Sequence, residues 1–582
     1  MKPRFAMLFV LPACLSVPSE RAPMCESTSD CDTANGEICD DGICWGNPPT
    51  GTFAAIVSPP ASRTNLASQE IPQIVINPDG WIDLLQLEKP VVYSTELSCQ
   101  APIACDDSML AATITITRPS TFPGGPGFRS IVKAKGDGMP FSISVPPVEV
   151  YGTAAANYTI TIIPDGRDEM GSSVTPAQFL PPLRTQLTIE GNATGKVLEL
   201  GGLGLPTISG VIKNDSGQPQ SNYRVVAVGR WDPNQAPTEV STVDFTGSDG
   251  TFQIQLSGGL ISTVELVAKP VVTITRPTLR FAGDIGQTGQ QSVQLQWPAG
   301  VGGARQLDIP VKAVEGNGEV KPARGARVLV SAKVPTMNGV ASYVAEGVTD
   351  DAGVAHISVL DGAAFQTAGY RISIIPPAGS TAGFMYDQPF SIAQPIQDKQ
   401  LKSRIAIRGI VRIGGESVKD MSVTARPSLK FLWSLDPVAQ AFLASVPPST
   451  SLTPESGDFV LWVDPALLGT LGFYDLTFEA AEGSHAPTFT IPSIDSPSED
   501  MGDYVGIYDL PYPAYVRSKI ADDKGNFVQG AELKLFMTED FGMLCGEVAF
   551  PPANCRTVAN TAILLGRGAS DDDGEVRLTL PR

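Results

Sequence analysis

The sequence predicts an all-β fold, a tandem array of antiparallel β-sandwich domains preceded by a small disulfide-rich segment. Short runs of alternating apolar and polar residues recur along the chain, and turns rich in Gly, Asn and Asp separate them. One such turn returns at a spacing close to the length of one small sandwich. Hydrophobic residues make up 42% of the chain, and Gly and Pro number 57 and 50 of 582 residues, a share below the ~25% typical of disordered chains. We therefore expect a folded chain with several domains.

The recurring turn ends in Gly and leads into a strand with alternating apolar residues. The turn glycines, separated by 112, 103, 104 and 117 residues, are Gly138, Gly250, Gly353, Gly457 and Gly574. After the last four, positions +2, +4 and +6 are apolar: Phe252, Ile254, Leu256; Ala355, Ile357, Val359; Phe459, Leu461, Val463; and Val576, Leu578, Leu580. In the first copy the set begins at +3 with Phe141, Ile143 and Val145, as one bulge residue would cause. A slip by one residue would turn each set outward, so the shared register predicts the same core-facing side in every copy.

This spacing divides the chain into five sandwiches. Residues 1–13 are expected to form a signal, and residues 14–50 a Cys-rich segment and linker. The predicted sandwiches 1 to 5 span residues 51–200, 201–300, 301–400, 401–503 and 504–582. Three copies also contain a strand headed by Tyr158, Tyr370 or Tyr474, and we expect each hydroxyl to bond to nearby backbone.

The first residues have the order of an export signal. A basic start, Met1 to Arg4, is followed by an apolar run to Leu11, too short to span a bilayer, and then by Pro12-Ala13-Cys14. The segment resembles a bacterial lipoprotein signal, in which the Cys becomes the lipidated new N-terminus. The resemblance implies lipidation of Cys14 and an exported protein held at a membrane, the outer membrane or the cell surface. The alternative is an ordinary start with Cys14 unmodified.

Without Cys14, eight cysteines remain, an even number that suits disulfides in an oxidising compartment. Four of them, Cys25, Cys31, Cys39 and Cys44, lie in a segment too small to bury a core. A zinc site is the alternative, but the paired C-x-x-C spacing and a nearby His are missing. Two further candidate pairs are Cys99 with Cys105, which would pin one loop, and Cys545 with Cys555 around Pro551-Pro552.

The second sandwich carries the family resemblance. Residues 208–212, Gly217-Gln218-Pro219, residues 225–228 and Asp249-Gly250-Thr251-Phe252 together resemble the carboxypeptidase regulatory-like domain, a transthyretin-like β-sandwich. The resemblance covers about residues 205–270 and extends to the other units only in pattern, where other bacterial Ig-like sandwiches fit equally. It implies a stalk or spacer in an exported bacterial protein, without catalytic residues.

The fourth and fifth units each add an expectation. Asp436-Pro437 followed by residues 438–445 predicts a short capped helix, and Phe431 and Trp433 upstream are candidates for an exposed aromatic patch or for core cover. In the fifth unit the chain stops before the closing strand, so the sandwich should be incomplete and expose an edge. The explanations are a truncated reading frame or an edge completed by another chain or a donated strand.

Little in the sequence points to catalysis. The only histidines, His356 and His485, lie in different units, and His356 falls on the polar face of its strand. No nucleophile elbow, phosphate-binding loop or zinc-protease motif occurs, although two acids brought together in space would be invisible here. We therefore expect no enzyme, no cofactor and no metal.

The net charge of −20 disfavours nucleic acid as a partner. The favoured hypothesis is an exported, lipid-anchored structural or interaction protein of the bacterial cell envelope, a stalk, an adhesion protein or an assembly scaffold. Its partners would be the membrane, through the N-terminal lipid, and an unknown protein or glycan. The alternative is a carbohydrate- or peptide-binding surface receptor in an uptake system, with Trp231 and Trp433 stacking on sugar rings.

Overall fold

The computed structural model describes residues 25–582 with gaps. The gaps are residues 101–106, 137–138, 148–155, 166–179, 202–204, 232–236, 259–260, 273–274, 283–284, 286–289, 394, 429–430, 433–434, 466, 469–472, 482–484, 496–503 and 539–561. The described residues confirm the all-β fold, because they form paired, mostly antiparallel sheets with only short helices.

The N-terminal segment is a small disulfide-bonded unit. Two 3₁₀ turns, Thr28–Asp30 and Thr33–Asn35, lead into the hairpin of β1 (Ile38–Asp40) and β2 (Ile43–Trp45). Disulfides join Cys25 to Cys39 and Cys31 to Cys44. The prediction of a disulfide-rich segment is confirmed, and the sulfurs that a zinc ion would need are bonded to one another.

Sandwich 1 follows three strands that belong elsewhere: β3 (Phe53–Ser58), β4 (Gln69–Ile74) and β5 (Leu85–Leu87). Its own elements are β6 (Val91–Cys99), a 3₁₀ turn (Asp107–Leu110), β7 (Ala111–Arg118), β8 (Phe128–Lys135), β9 (Phe141–Val145), β10 (Ala156–Pro164), β11 (Leu183–Ile189) and β12 (Ala193–Leu200). They form a sheet in the order β11-β10-β7-β8 and a second sheet in the order β12-β6-β9.

Sandwiches 2 and 3 share one long sheet. Sandwich 2 contains β13 (Thr207–Lys213), β14 (Tyr223–Arg230), β15 (Thr238–Glu239), β16 (Asp244–Phe245), β17 (Thr251–Gln255), β18 (Ser262–Pro270), β19 (Thr278–Phe281) and β20 (Gln290–Gln296). Sandwich 3 contains β21 (Ala304–Val314), β22 (Val320–Pro322), β23 (Arg327–Thr336), β24 (Gly339–Val348), β25 (Val354–Leu360), α1 (Ala363–Ala368), β26 (Tyr370–Ile375), β27 (Met385–Phe390) and β28 (Lys399–Leu401). Pairing of β19 with β24 joins the two into a nine-stranded sheet.

Sandwich 4 carries the predicted helix. Its elements are β29 (Ile405–Ile413), β30 (Glu416–Ser417), β31 (Ser422–Pro427), α2 (Pro437–Ser445), β32 (Ser449–Leu452), β33 (Asp458–Val463), β34 (Phe473–Glu479), β35 (Phe489–Asp495) and β36 (Tyr504–Leu510). The Asp436 carboxylate accepts hydrogen bonds from the amides of Val438 and Ala439, so the helix starts where the capping pattern predicts.

Sandwich 5 combines both ends of the chain. Its C-terminal strands are β37 (Pro513–Asp522), β38 (Glu532–Met537), β39 (Ile563–Ala569) and β40 (Glu575–Pro581). The first sheet has the order β39-β38-β3-β4, and the second has the order β40-β37-β5. Residues 53–87 therefore complete sandwich 5, which corrects both the predicted start of sandwich 1 at residue 51 and the prediction of an incomplete sandwich 5.

All five sandwiches share one strand pairing. The first strand of each runs antiparallel to the strand that follows the recurring turn and parallel to the last strand. The parallel pairs are β6 with β12, β13 with β20, β21 with β28, β29 with β36 and β37 with β5. The last pair follows the rule although its members lie at opposite ends of the sequence.

The recurring turn has one geometry in sandwiches 2 to 5. Gly250, Gly353, Gly457 and Gly574 have φ of +70°, +76°, +74° and +70°. A Cβ at any of them would lie 2.6–2.7 Å from a carbonyl oxygen of the first strand. The sets at +2, +4 and +6 are all at most 3% exposed, which confirms their predicted register. Gly138 lies outside the described residues, but Ile143 and Val145 are buried as predicted.

The hydrophobic interiors merge in pairs. One cluster of buried residues runs through sandwiches 2 and 3, another through sandwiches 4 and 5, and a third belongs to sandwich 1. The strands β3 and β5 contribute Ala55, Val57 and Leu87 to the cluster of sandwiches 4 and 5. The chain thus leaves sandwich 5 at β5, passes through sandwiches 1 to 4 and returns to sandwich 5 at β37, which makes its path a closed circuit.

Candidate functional site: the junction of the two end segments

The strand β3 lies at the centre of this junction. It pairs with β38 on one side, with Ala55 opposite Leu535 and Val57 opposite Leu533, and with β4 on the other. Ala54, Ala55 and Val57 are at most 1% exposed. Since β3 is paired on both sides and buried on both faces, it is a central strand of sandwich 5.

The disulfide-bonded segment docks beside these strands through an arginine held between two indoles. The Arg517 guanidinium on β37 lies 4.6 Å from the ring centre of Trp45 and 4.5 Å from that of Trp81. It also pairs with the Asp40 carboxylate at 2.6 Å. Trp45 is 1% exposed and packs on Tyr515. A planar guanidinium suits such stacking and a carboxylate at once, so this contact specifically ties the N-terminal segment to β37.

A second ion pair ties the same segment to the last strand. A guanidinium nitrogen of Arg582 lies 2.6 Å from the Asp32 carboxylate and another lies 3.5 Å from Glu37. The hydrogen bond from Asn35, followed by that from Arg582, lowers the pKa of Asp32. The Arg582 amide donates to the Tyr512 carbonyl at 2.8 Å. Side chains of residues 32–45 therefore contact β37 and Arg582, the residue that follows β40. The same segment leads along the chain into β3.

In sandwiches 1, 3 and 4 a tyrosine hydroxyl occupies the corresponding place. Tyr158 donates to the Pro146 carbonyl at 3.3 Å, Tyr370 to Leu360 at 2.7 Å and Tyr474 to Asp464 at 3.4 Å. Each bond joins the head of one strand to the end of the strand before it, as predicted for these tyrosines. Sandwich 5 has Phe53 at this position and therefore lacks the hydroxyl.

The junction between sandwiches 3 and 4 contains a buried ion pair. The Asp464 carboxylate accepts from Arg404 Nε at 3.0 Å and from the Phe384 amide at 3.1 Å. Burial raises the pKa of Asp464, and the positive charge of Arg404 opposes this shift. Both side chains are at most 8% exposed, so the pair is not an open acid site, and the bond from the Phe384 amide is the one that joins this pair to sandwich 3.

The histidines and cysteines singled out in the sequence lie apart from the junction of the two end segments, near its rim or outside the described residues. His356 is exposed and its Nδ1 lies 2.7 Å from the Asp308 carboxylate, which matches its predicted place on the polar face. The carbonyl of His485 accepts from the Tyr515 hydroxyl at 3.3 Å. Cys99 is disulfide-bonded, while Cys14, Cys105, Cys545 and Cys555 lie outside the described residues.

Of the two tryptophans predicted to contact sugars, the structure describes Trp231. Trp231 packs against the interior of sandwiches 2 and 3, and Arg184 of sandwich 1 lies 6.0 Å from its ring centre. Phe431 is buried, which agrees with core cover, and Trp433 lies outside the described residues. One ring face of Trp231 therefore lies near a guanidinium and its side chain is partly buried, and its stacking on a sugar stays a prediction.

A polar groove lies on the surface of sandwich 2. It has a volume of about 780 Å³ and lies over β13, β17 and β20. Its lining includes the hydroxyl and amide side chains of Ser209, Thr251, Gln253, Ser292 and Gln294. Gly210 also lies along this groove, and a Cβ there would lie 2.5 Å from the buried Phe252 ring. The missing side chain thus leaves room for that ring in the interior of the sandwich.

No family model matches the sequence, and no curated protein matches it either. Solved structures to which it is similar include a streptococcal ancillary pilin, at 9% identity and a TM-score of 0.17, covering 54% of this chain and 99% of the pilin. Two others are the Bacillus anthracis TIE protein, at 13% and 0.14, covering 69% and 68%, and BcpA, the major pilin subunit of Bacillus cereus, at 8% and 0.12, covering 52% and 99%. At identities and TM-scores this low, function does not transfer to this chain.

Sequence reasoning missed the junction, although one signal for it was present. Phe53 stands six residues before Pro59, the spacing that separates Tyr158 from Pro164 and Tyr370 from Pro376. A search for that spacing without requiring Tyr finds the closing strand at the other end of the chain. No local pattern marks Arg517 as the partner of Trp45, because their contact depends on the long-range pairing of β37.

Proposed function

We propose that this chain is an exported, lipid-anchored structural or interaction protein of the bacterial cell envelope, acting as an adhesion protein or assembly scaffold without enzymatic activity. The observation that carries the proposal is the disulfide-bonded segment that fastens the two end segments together. Such a segment keeps its bonds in an oxidising compartment, as an exported protein requires. Among the described residues, no helix is long and apolar enough to span a bilayer.

An anchor at Cys14 would place the lipid next to sandwich 5. Only residues 15–24 separate Cys14 from Cys25, the first disulfide-bonded residue. The rest of the circuit would then extend from an attachment point where both end segments are fixed. We include in the proposal that sandwich 2 is a carboxypeptidase regulatory-like domain and that its neighbours are built on the same plan, which their shared strand pairing supports.

Metabolic labelling with radioactive palmitate tests the anchor. The wild-type chain should carry label and fractionate with membranes, whereas a Cys14→Ala variant should carry none. A Cys99→Ala variant is the matched control, because it removes a different cysteine and should still be labelled. An unlabelled wild-type chain released into the medium would contradict lipid anchoring.

The polar groove supports a second candidate function, carbohydrate or peptide binding. Hydroxyl and amide side chains, together with the carboxylates of Asp244 and Asp249, line a depression of about 780 Å³ and suit a ligand rich in hydroxyl or amide groups. A glycan array probed with the chain from residue 20 tests the carbohydrate form. Binding should fall in a Gln253→Ala, Gln294→Ala variant and persist in a Gln388→Ala variant on sandwich 3. No signal above background would remove the carbohydrate candidate.

A further inference from the structure

Sandwich 5 has a groove that only a segment distant in sequence can fill. The groove follows the edges of β38 and β37, where β3 and β4 extend the first sheet and β5 extends the second. Sandwiches 1 to 4 separate these strands from β37 along the chain. The contacts that hold the strands are strand pairing, apolar packing and polar contacts such as the Arg63–Asp522 ion pair. They are the same whether the strands come from this chain or from a second copy.

The groove cannot remain empty in a folded chain. Withdrawing β3 would expose the apolar side chains of Val57, Leu533 and Leu535, now at most 1% exposed, at roughly 1.5–3 kcal/mol for each. It would also leave the amides and carbonyls of β38 unpaired along one edge. Every copy must therefore fill its groove, either with its own strands or with those of a neighbour.

Among the described residues, one junction of the circuit has lighter contacts than the others. Sandwiches 2 and 3 share a sheet, the Phe384 amide of sandwich 3 donates to the buried Asp464 carboxylate of sandwich 4, and sandwiches 4 and 5 share an apolar interior. The described link between sandwiches 1 and 2 includes the contact of Arg184 with Trp231, and the connecting sequence includes Gly201, Gly202 and Gly204. Judged from the described residues, this junction opens with a smaller loss of packing than the other three.

The strands β3–β5 stay attached to sandwich 1 when the junction between sandwiches 1 and 2 opens. The Glu70 carboxylate on β4 accepts from the Thr121 amide of sandwich 1 at 2.9 Å, and three residues connect β5 to β6. The Phe122 ring of sandwich 1 lies 5.7 Å from Phe536 of β38. A neighbour's sandwich 5 would therefore receive both the three strands and the surface of sandwich 1 that packs beside them.

We propose that β3–β5 of one chain fill the groove in sandwich 5 of a second copy, so that copies join head to tail. The inference builds on the proposed scaffold function. The closed circuit and the joined form have the same contacts in sandwich 5, and protein concentration decides between them. Joined copies increase as the concentration rises, and dilution returns them to closed circuits.

Paired cysteines distinguish the two forms. Ser58 on β3 lies opposite Glu532 on β38, and both side chains are half-buried. One chain carries Ser58→Cys, a second carries Glu532→Cys, and equal amounts are mixed at high concentration and oxidised. A disulfide between the two chains can form only after exchange. At complete exchange, roughly a quarter of the junctions hold one cysteine from each chain, because donor and acceptor are drawn from an equal mixture.

The control pair is Ser58→Cys with Arg567→Cys. Arg567 lies on β39, on the far side of β38, so it does not reach β3 in either form. A mixed dimer on a non-reducing gel that exceeds the control and falls on dilution supports exchange. A chain with both Ser58→Cys and Glu532→Cys that crosslinks only within itself, with no mixed dimer at any concentration, overturns the proposal. Palmitate labelling is independent of this result, so the anchor and the exchange can fail separately.

Discussion

Sandwiches 3 and 5 have the same strand pairing but differ in how the chain connects it. In sandwich 3 the helix α1 covalently links β25 to β26, and the Tyr370 hydroxyl adds a hydrogen bond to Leu360. In sandwich 5 the corresponding strands, β40 and β3, are the last and the first of the sandwich strands in the sequence. The disulfide-bonded segment bridges them without a covalent link to β40.

This difference separates the features that the packing of a sandwich requires from the order in which its strands occur in the sequence. The turn glycine, the buried +2, +4 and +6 residues and the parallel pairing are present in both sandwiches. The packing therefore does not require a continuous chain. Because sandwiches 1 to 4 separate β5 from β37 in the sequence, closing sandwich 5 also closes a long loop. The entropic cost of closing a loop grows only slowly with its length.

Removing the N-terminal strands should have the largest effect. A chain that starts at residue 90 loses β3, β4 and β5, and we expect sandwich 5 to unfold because half of one sheet and its interior are absent. Sandwich 3 should remain folded. Limited proteolysis followed by mass spectrometry would show early cuts confined to residues 513–582.

The complementary experiment rebuilds sandwich 5 as a continuous chain. Residues 513–582, joined by a flexible linker to residues 25–90, place β40 directly before the segment that contains β3. We expect this fusion to fold alone and to melt cooperatively by circular dichroism. A fusion that stays unfolded while isolated sandwich 3 folds would mean that sandwich 5 depends on more than its own strands.

The sequence contains the plan of sandwich 3 in full and that of sandwich 5 only in part. Turn and alternation are local, so Gly353 and Gly574 could both be placed from the pattern. The partner of β38 is a long-range choice, and chain order wrongly assigned residues 53–58 to sandwich 1. The Trp45–Arg517–Trp81 stack is also invisible locally, because it appears only when β37 meets the N-terminal segment.

Replacing Arg517 should weaken the noncovalent bridge of sandwich 5. Arg517→Ala removes two stacking contacts and leaves Asp40 without its partner, and we expect a loss of about 2–4 kcal/mol in the unfolding free energy of sandwich 5. Denaturant unfolding of the continuous fusion measures this. Arg577→Ala is the control, since Arg577 lies over the outer part of the stack at 5.6 Å from Trp45 and is half exposed. Equal losses in both variants would contradict the central role of Arg517.

Replacing the turn glycine should lower the unfolding free energy by the same amount in both sandwiches. Gly353→Ala and Gly574→Ala each force a side chain into positive φ and place a Cβ 2.7 Å from a carbonyl oxygen. We expect each to lose about 2 kcal/mol or slightly more. Gly318→Ala, at φ +82° with open space around its Cβ, separates the cost of φ from that of the clash. A loss at Gly318 as large as that at Gly353 would remove the clash from the explanation.

The tyrosine of sandwich 3 allows a smaller test. Tyr370→Phe deletes the hydroxyl that donates to Leu360 and reproduces the residue type that sandwich 5 has at Phe53. We expect a loss of about 1 kcal/mol, because one buried carbonyl loses a partner while the ring remains packed. Equilibrium unfolding in urea measures the change. No measurable loss would show that the covalent link alone holds β25 and β26 together.

The smallest effect concerns pH and is confined to sandwich 3. The hydrogen bond from His356 to Asp308, helped by the charges of Asp308 and Asp350, raises the pKa of His356 above its usual 6.5. Because the folded pKa is the higher one, the stabilisation is complete below the unfolded pKa and is lost as pH rises through the folded value. The melting temperatures of the wild type and the His356→Gln variant should therefore differ more at pH 5.5 than at pH 8.5. At pH 5.5 the wild type should be more stable than the variant. The shift should be small since the pair is exposed, and sandwich 5, which has a half-exposed Arg577 at the same position after its turn, should show no such difference. A pKa of His356 at or below 6.5, read by NMR titration, would contradict the assignment.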